Sequence, residues 1–305
     1  MESTFFKTFS AQAVDIPDSE YHGNKDYLSA SSMKLLKRSP LHYINEQKKE
    51  TEAMVFGSAY HCLVLEPEKF EEQFYVFDET SILEILIGEG SKSPRATNKY
   101  KEWKELQLGK ADGKTIIEAQ DYAKMEAMKK VLFSHPFAKS LLTNGIAEQA
   151  IFAEFETESG EKGKIKIKPD YMKPNKRVIA DLKTCVSSEL DEFTRHSAKM
   201  NYHIQAALYS DVVELMHGDG LSWRFIFIAQ EKEFPYAFNI FEASPQFIAQ
   251  GRYDYEMLTS LWLWCKESNK WPGYQVFCEN KYGVMELNLP AYANKPLDYF
   301  THKTL

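Results

Sequence analysis

Cysteine is scarce in this chain of 305 residues, and its four copies are scattered. Cys62, Cys185, Cys265 and Cys278 form no C-x-x-C pair, a pattern that fits reduced thiols in a cytoplasm. Long apolar runs are missing as well. The most apolar, Phe225-Ile226-Phe227-Ile228-Ala229, has the length of a strand, so no membrane span is expected. The opening Met1-Glu2-Ser3-Thr4-Phe5 lacks a basic n-region and an apolar h-region, so no export signal is expected. Internal repeats are absent. Positive charge is also short: the net charge is −7, whereas nucleic-acid proteins are more often basic. The basic residues are unevenly spread, however. Lys162, Lys164, Lys166 and Lys168 flank one hairpin, and Lys34, Lys37 and Arg38 share one short helix. These are either solvated faces or the walls of a basic channel in an acidic body.

Apolar residues make up 44% of the chain, ample for a core, and the length suits one large domain or a core with a helical appendage. From Glu148 onward the pattern is regular. Glu148 to Thr157 alternates apolar and polar residues, as does Lys164 to Met172, with Ile165 and Ile167 on one face and Lys164, Lys166 and Lys168 on the other. Turn chemistry at Ser159–Gly163 and Lys173–Lys176 separates these from a third strand, Arg177 to Thr184. A long helix is expected from about Glu189 to His217, then strands over Ser222–Gln230 and Pro235–Phe241, then a helix capped by Ser244. A helix between strands implies that part of the sheet is parallel and covered.

Two runs in this region bear on chemistry: Lys168-Pro169-Asp170 and Ile179-Ala180-Asp181-Leu182-Lys183-Thr184. On a strand, Asp181 and Lys183 project to the same face. An acid and an amine on a mostly buried strand cost free energy unless something uses them. One use is a divalent cation held by Asp170 and Asp181 with Lys183 beside it, a set suited to metal-assisted phosphodiester hydrolysis. The bland alternative is a solvated ion pair on a surface hairpin.

Elsewhere the reading is coarser. Residues 1–145 read as mainly helical, 146–275 as the core and 276–305 as a tail. The apolar rhythm breaks over about 78–114, where a flexible loop or lid is expected around one short helix, Lys99 to Leu106. Thr115 with Glu118 reads as a capping box opening a helix to about Phe133, and Ser134 with Pro136 opens another. The aromatics Trp271, Tyr274, Tyr282, Tyr292, Tyr299 and Phe300 could pack between subunits or fill a core.

The Pro-Asp…Asp-x-Lys hairpin followed by a helix resembles the PD-(D/E)xK nuclease superfamily. Within it, the chain resembles the RecE-type (exonuclease VIII-like) phage exonucleases, relatives of lambda exonuclease and the RecB nuclease domain. Four runs carry the resemblance: Ser29–Lys34 with Ser39–Tyr43, Gly57–Pro67 with its Gly-x-x-x-His, the Asp170–Thr184 hairpin, and Tyr202–Tyr209 with its Gln-x-x-x-Tyr. The resemblance implies an α/β (α+β) fold with a restriction-endonuclease-like core, a mixed central β-sheet flanked by helices. It implies Mg2+ or Mn2+ held by Asp170, Asp181, the carbonyl of Leu182 and His61. Lys183 would orient or activate the attacking water and help neutralise the developing charge. His61 could otherwise be a structural histidine. Gln205 and Tyr209, four apart on a helix face, would contact the lysine and the DNA phosphates. Tyr202 falls on a similar face and could be packing alone. Glu148 opens the first core strand, where the resembled nucleases often place an acid, and is left outside the ligand set.

Ser29 and Ser31 precede the basic helix Ser32–Arg38 and would grip a terminal phosphate. Equally, one of them, most readily Ser31, is an ordinary helix cap. With Lys34, Arg38, Lys166 and Lys168 they form the expected DNA contacts. No iron–sulfur cluster is expected, since the clustered cysteines of several RecB-branch nucleases are missing. The function implied is a cytoplasmic, bacterial, phage- or prophage-encoded exodeoxyribonuclease. It would trim linear duplex DNA 5′ to 3′, as a homo-oligomer that could be a ring, for a RecT/Bet-like single-strand annealing protein. The alternatives are another RecB-like repair or CRISPR-associated nuclease, or a non-catalytic DNA-binding protein of the same fold.

Overall fold

The computed structural model describes residues 5–47, 51–278, 280 and 282–290. Among the described residues, ten strands form three sheets: β1 (Phe6–Val14), β2 (Phe74–Phe77), β3 (Thr115–Glu118), β4 (Ile146–Ala147), β5 (Ala150–Thr157), β6 (Lys162–Ile167), β7 (Tyr171–Lys173), β8 (Val178–Cys185), β9 (Arg224–Glu231) and β10 (Phe238–Glu242). The order β10-β9-β8-β7-β4 makes a five-stranded mixed sheet, parallel only between β8 and β9. Antiparallel β1-β5-β6 form a second sheet, and parallel β2-β3 a third. The expected mixed sheet flanked by helices is present.

The expected single strand Lys164–Met172 is two strands in two sheets. Pro169 has no N–H to donate to a ladder, so pairing stops there and the chain steps from β6 into β7. Its neighbour does the same. The chain steps from β4 into β5 at Glu148, whose φ is +46°, and the Glu148 N–H donates to the Asp170 carbonyl at 3.0 Å. Glu148 and Asp170 thus face each other in the seam between two sheets.

Helices cover the five-stranded sheet on both faces. Ile179, Phe225 and Phe227 pack with helices Ala30–Arg38, Tyr202–His217 and Pro245–Ser268, while Val178, Ala180, Leu182, Ile226 and Ile228 pack with Glu52–Leu65, Ala119–Ser134 and Pro136–Leu141. Each buried aliphatic side chain contributes roughly 1.5–3 kcal/mol. The alternation fixes Asp181 and Lys183 on the Ile179 face, opposite the helix that bears His61.

Several expectations are corrected. The long helix over Glu189–His217 is two, Leu190–Lys199 and Tyr202–His217, broken at Asn201 with φ +54°. Asparagine tolerates this left-handed conformation better than most residues. Thr115 and Glu118 are not a capping box: they are the ends of β3, which β2 pairs in parallel, and the helix follows from Ala119. The helix Pro136–Leu141 is capped by His135, not Ser134. The stretch 78–114 contains two helices, Thr80–Gly88 and Asn98–Ala111, the second capped by Thr97. Strand β1, not anticipated, pairs along all of β5. Tyr292, Tyr299 and Phe300 lie outside the described residues. No described helix is long and apolar enough to cross a membrane.

Two helices on the Asp181 side approach closely. A Cβ on Gly251 would lie 2.0 Å from the His203 carbonyl oxygen. The same pair is locked by buried Asp211, which accepts from Arg252 and from the Tyr255 hydroxyl at 2.6 Å. Gly251→Ala should therefore force the helices apart and cost at least about 1–3 kcal/mol, read as a lowered midpoint in urea. An unchanged midpoint would mean that the two helices are not in this contact.

Candidate active site

The seam gathers the acids. Asp170 follows Pro169, and its Oδ2 accepts from the Leu182 N–H at 2.8 Å, which ties β8 to the crossing point. In a strand, the N–H and C=O of one residue point to the same edge, so the Leu182 carbonyl also faces Asp170. Glu148 sits across the seam, and Lys168 Nζ lies 3.0 Å from its Oε2. From the opposite face, His61 Nδ1 approaches Asp170 Oδ2 at 3.6 Å and Glu148 Oε1 at 3.9 Å. One ligand atom from each of His61, Glu148 and Asp170 can be chosen so that all lie within 4.8 Å of one another.

Asp181 stands beside this cluster rather than within it. Its buried carboxylate lies 2.6 Å from Lys183 Nζ through Oδ1 and accepts from the Gln205 amide at 2.6 Å through Oδ2. Gln205 therefore contacts Asp181, not the lysine as expected. Lys183 Nζ also lies 5.2 Å from the Tyr202 ring centroid, a cation–π contact, so Tyr202 does more than pack. Tyr209 is buried beneath the site, and burial pushes its hydroxyl well above its ordinary pKa.

The electrostatics follow from this crowding. Burial, reinforced by the Asp181 charge, pushes the Asp170 carboxyl up to about 7. Burial disfavours charged His61, but Asp170 and Glu148 outweigh it and raise the imidazole above its ordinary value. Burial likewise opposes charge on Lys183, yet Asp181 and then Asp170 hold its ammonium well above the usual range. Glu148 is held below the ordinary carboxylate value despite its burial, by His61 and Lys168.

These residues fit a hard divalent cation. The donors are carboxylates, a carbonyl and one imidazole, with no thiolate. Asp181 Oδ1 is buried and, although the Lys183 ammonium is near, finds no well-aligned hydrogen bond among the described residues. An acceptor site is left for an ion or its water. The residue that sequence reasoning passed over is Glu148. Its only signal was its place at the head of the first core strand, and the sheet change that turns it inward is not written in local periodicity.

The expected DNA contacts divide. Ser29, not Ser31, caps the basic helix, which begins at Ala30, and its Oγ accepts from the Ser32 N–H. Ser31 is exposed, its hydroxyl 3.0 Å from that of Ser29. Lys166 is buried, its amine spent on the carbonyls of Tyr21 and Asn24, so it does not line a surface groove. Lys168 is engaged by Glu148 and Asp18. Arg38 donates to the Tyr274 hydroxyl at 3.3 Å.

Two measurements check the cluster. Glu148→Gln should weaken Mn2+ binding by about 10–100-fold in calorimetry; unchanged affinity would exclude it from the ligand set. Because Asp170 binds its proton up to about pH 7, a metal must displace that proton below this value. Affinity in the intact protein should fall as pH drops from 8 to 6, with proton uptake by the buffer, and a pH-independent affinity would contradict this.

Comparison with known proteins agrees with this geometry. Residues 29–282 match the family described as "PDDEXK-like domain of unknown function (DUF3799)". No curated protein matches the chain. A crystal structure of a candidate exonuclease from Eubacterium rectale is similar in fold, with 16% sequence identity and a TM-score of 0.56 over 91% of this chain and 96% of that one. The matched span contains every residue of the seam site, and the chain belongs to this PDDEXK-like family within the PD-(D/E)xK nuclease superfamily.

Proposed function

We propose that this chain is a Mg2+- or Mn2+-dependent exodeoxyribonuclease that hydrolyses linear double-stranded DNA from its ends. The observation that supports it most is the convergence of His61, Glu148 and Asp170 beside the Asp181–Lys183 pair at the edge where two sheets separate. His61, Glu148, Asp170, Asp181 and the Leu182 carbonyl would hold the ion. When bound, the ion supplies a polarised phosphoryl oxygen and a water of lowered pKa.

The remaining chemistry belongs to side chains. Lys183 is held by Asp181 and the Tyr202 face, so its ammonium is a pre-oriented charge for the negative charge that develops on the phosphoryl group. Gln205 fixes the second oxygen of Asp181 and so the direction of the pair. Lys168, itself paired with Asp18, holds Glu148 in place from behind. The resemblance to RecE-type exonucleases extends the proposal to 5′ to 3′ polarity, a ring-shaped homo-oligomer and a single-strand annealing partner in phage-type recombination.

The test compares linear with covalently closed duplex DNA, in Mg2+ and in EDTA. Linear DNA should be degraded only with metal, and closed circles spared. Lys183→Ala should lower turnover by about a hundredfold or more while duplex binding persists, because the ammonium acts on the transition state. Equal cutting of both DNA forms would make the protein an endonuclease. Full activity in Lys183→Ala would remove the lysine from the mechanism.

A further inference from the structure

The basic side chains around the site are nearly all engaged. Lys183 pairs with Asp181, Lys168 with Glu148 and Asp18, and Lys37 with Asp254, while Lys166 and Arg38 are bonded as described above. Lys34 differs. It lies on the helix Ala30–Arg38, between fully buried Met33 and Leu36 that fix the helix in place. It forms no ion pair with a carboxylate among the described residues. Its ammonium lies 5.1 Å from the centroid of the Tyr202 ring, and the Lys183 ammonium lies 5.2 Å from the same centroid.

Two cations therefore share one aromatic ring at the edge of the catalytic centre. Burial, and then the neighbouring Lys183 charge, pull Lys34 down to about 8, against a smaller opposing pull from Asp181. A cation–π contact is weak and does not replace the hydration of a half-buried ammonium held beside a like charge. The local field calls for an anion, and Lys34 is the amine left to meet it.

We propose that Lys34 is a substrate-binding residue of the catalytic centre. Its ammonium takes an oxygen of a DNA backbone phosphate at the cleavage site, with Tyr202 as the platform that positions both amines. The proposal rests on the nuclease reading and assigns the two lysines different work. Lysine binds phosphate as a point charge, and a phosphate between the amines relieves their repulsion. Lys183, tied to Asp181, serves the reaction step, whereas Lys34 contributes to holding the strand.

The test is binding of a fluorescent linear duplex in Ca2+ without Mg2+, followed by anisotropy across a salt series. Lys34→Met keeps the apolar stem and removes the charge. Its slope of log affinity against log salt should be shallower than wild type by about 0.9. In Mg2+ its KM should rise about tenfold, the scale of one lost charged hydrogen bond, with kcat much less affected. Its thermal midpoint should not fall. Lys37→Met, whose amine Asp254 already occupies, should keep the wild-type slope. Tyr202→Leu, which removes the platform under both amines, should show the same shallower slope and raised KM together with a lower kcat through Lys183. A wild-type slope and KM in Lys34→Met would overturn the proposal and leave the nuclease reading standing. Wild-type protein with no salt-dependent DNA binding would overturn the nuclease reading itself.

Discussion

The site depends on one backbone constraint. Two neighbouring chain segments leave one sheet and enter another at the same level, at Glu148 and at Pro169-Asp170. A flat continuous sheet would send successive side chains to opposite faces and would hold these two acids apart. The change of sheet frees both from that alternation. The Glu148 N–H bound to the Asp170 carbonyl and the Asp170 carboxylate bound to the Leu182 N–H then fix the crossing. Proline at 169 enforces the break, because its ring nitrogen has no hydrogen to give a ladder.

Charge is arranged around that crossing in layers. Asp170 and Asp181 are buried and repel each other, which raises the Asp170 pKa. His61 and Lys183 approach them from opposite faces of the sheet, and Lys168 braces Glu148 from outside. The acidic body of the protein does not bar a nucleic-acid substrate in this arrangement, since the decisive charges are local. A basic surface is also not where most lysines of the hairpin point: Lys164 pairs with Glu154, and Lys166 is buried.

Much of this was legible in the sequence. Alternation placed Asp181 and Lys183 on one strand face, and the family resemblance, not spacing, drew Gln205 towards the lysine, although its partner is Asp181. The helix–strand order implied a covered, partly parallel sheet, as β8 and β9 show. The losses have physical causes. Periodicity reads Lys164–Met172 as one strand because alternation continues through Pro169 while the partner strand changes. Thr115 to Glu118 matches a capping box, yet the apolar pair between them satisfies a parallel strand better than a helix turn. A lysine at 166 looks solvent-facing by alternation, but the C-terminal end of the helix Asp18–Gly23 lies over it and offers the carbonyls of Tyr21 and Asn24. Glu148 belongs to the site through a tertiary crossing that no local pattern encodes.

The central claim is that the seam acids and His61 form one divalent-metal site. Anomalous diffraction from crystals grown with Mn2+ tests it directly. The account predicts a peak within about 2–2.4 Å of oxygens from Asp170 and Glu148 and of a nitrogen of His61, on the order of ordinary metal–ligand distances. Asp181 and the Leu182 carbonyl should adjoin it. A strong Mn2+ peak elsewhere with this cluster bare, or a peak held by Asp181 with neither Glu148 nor His61 near, would contradict it.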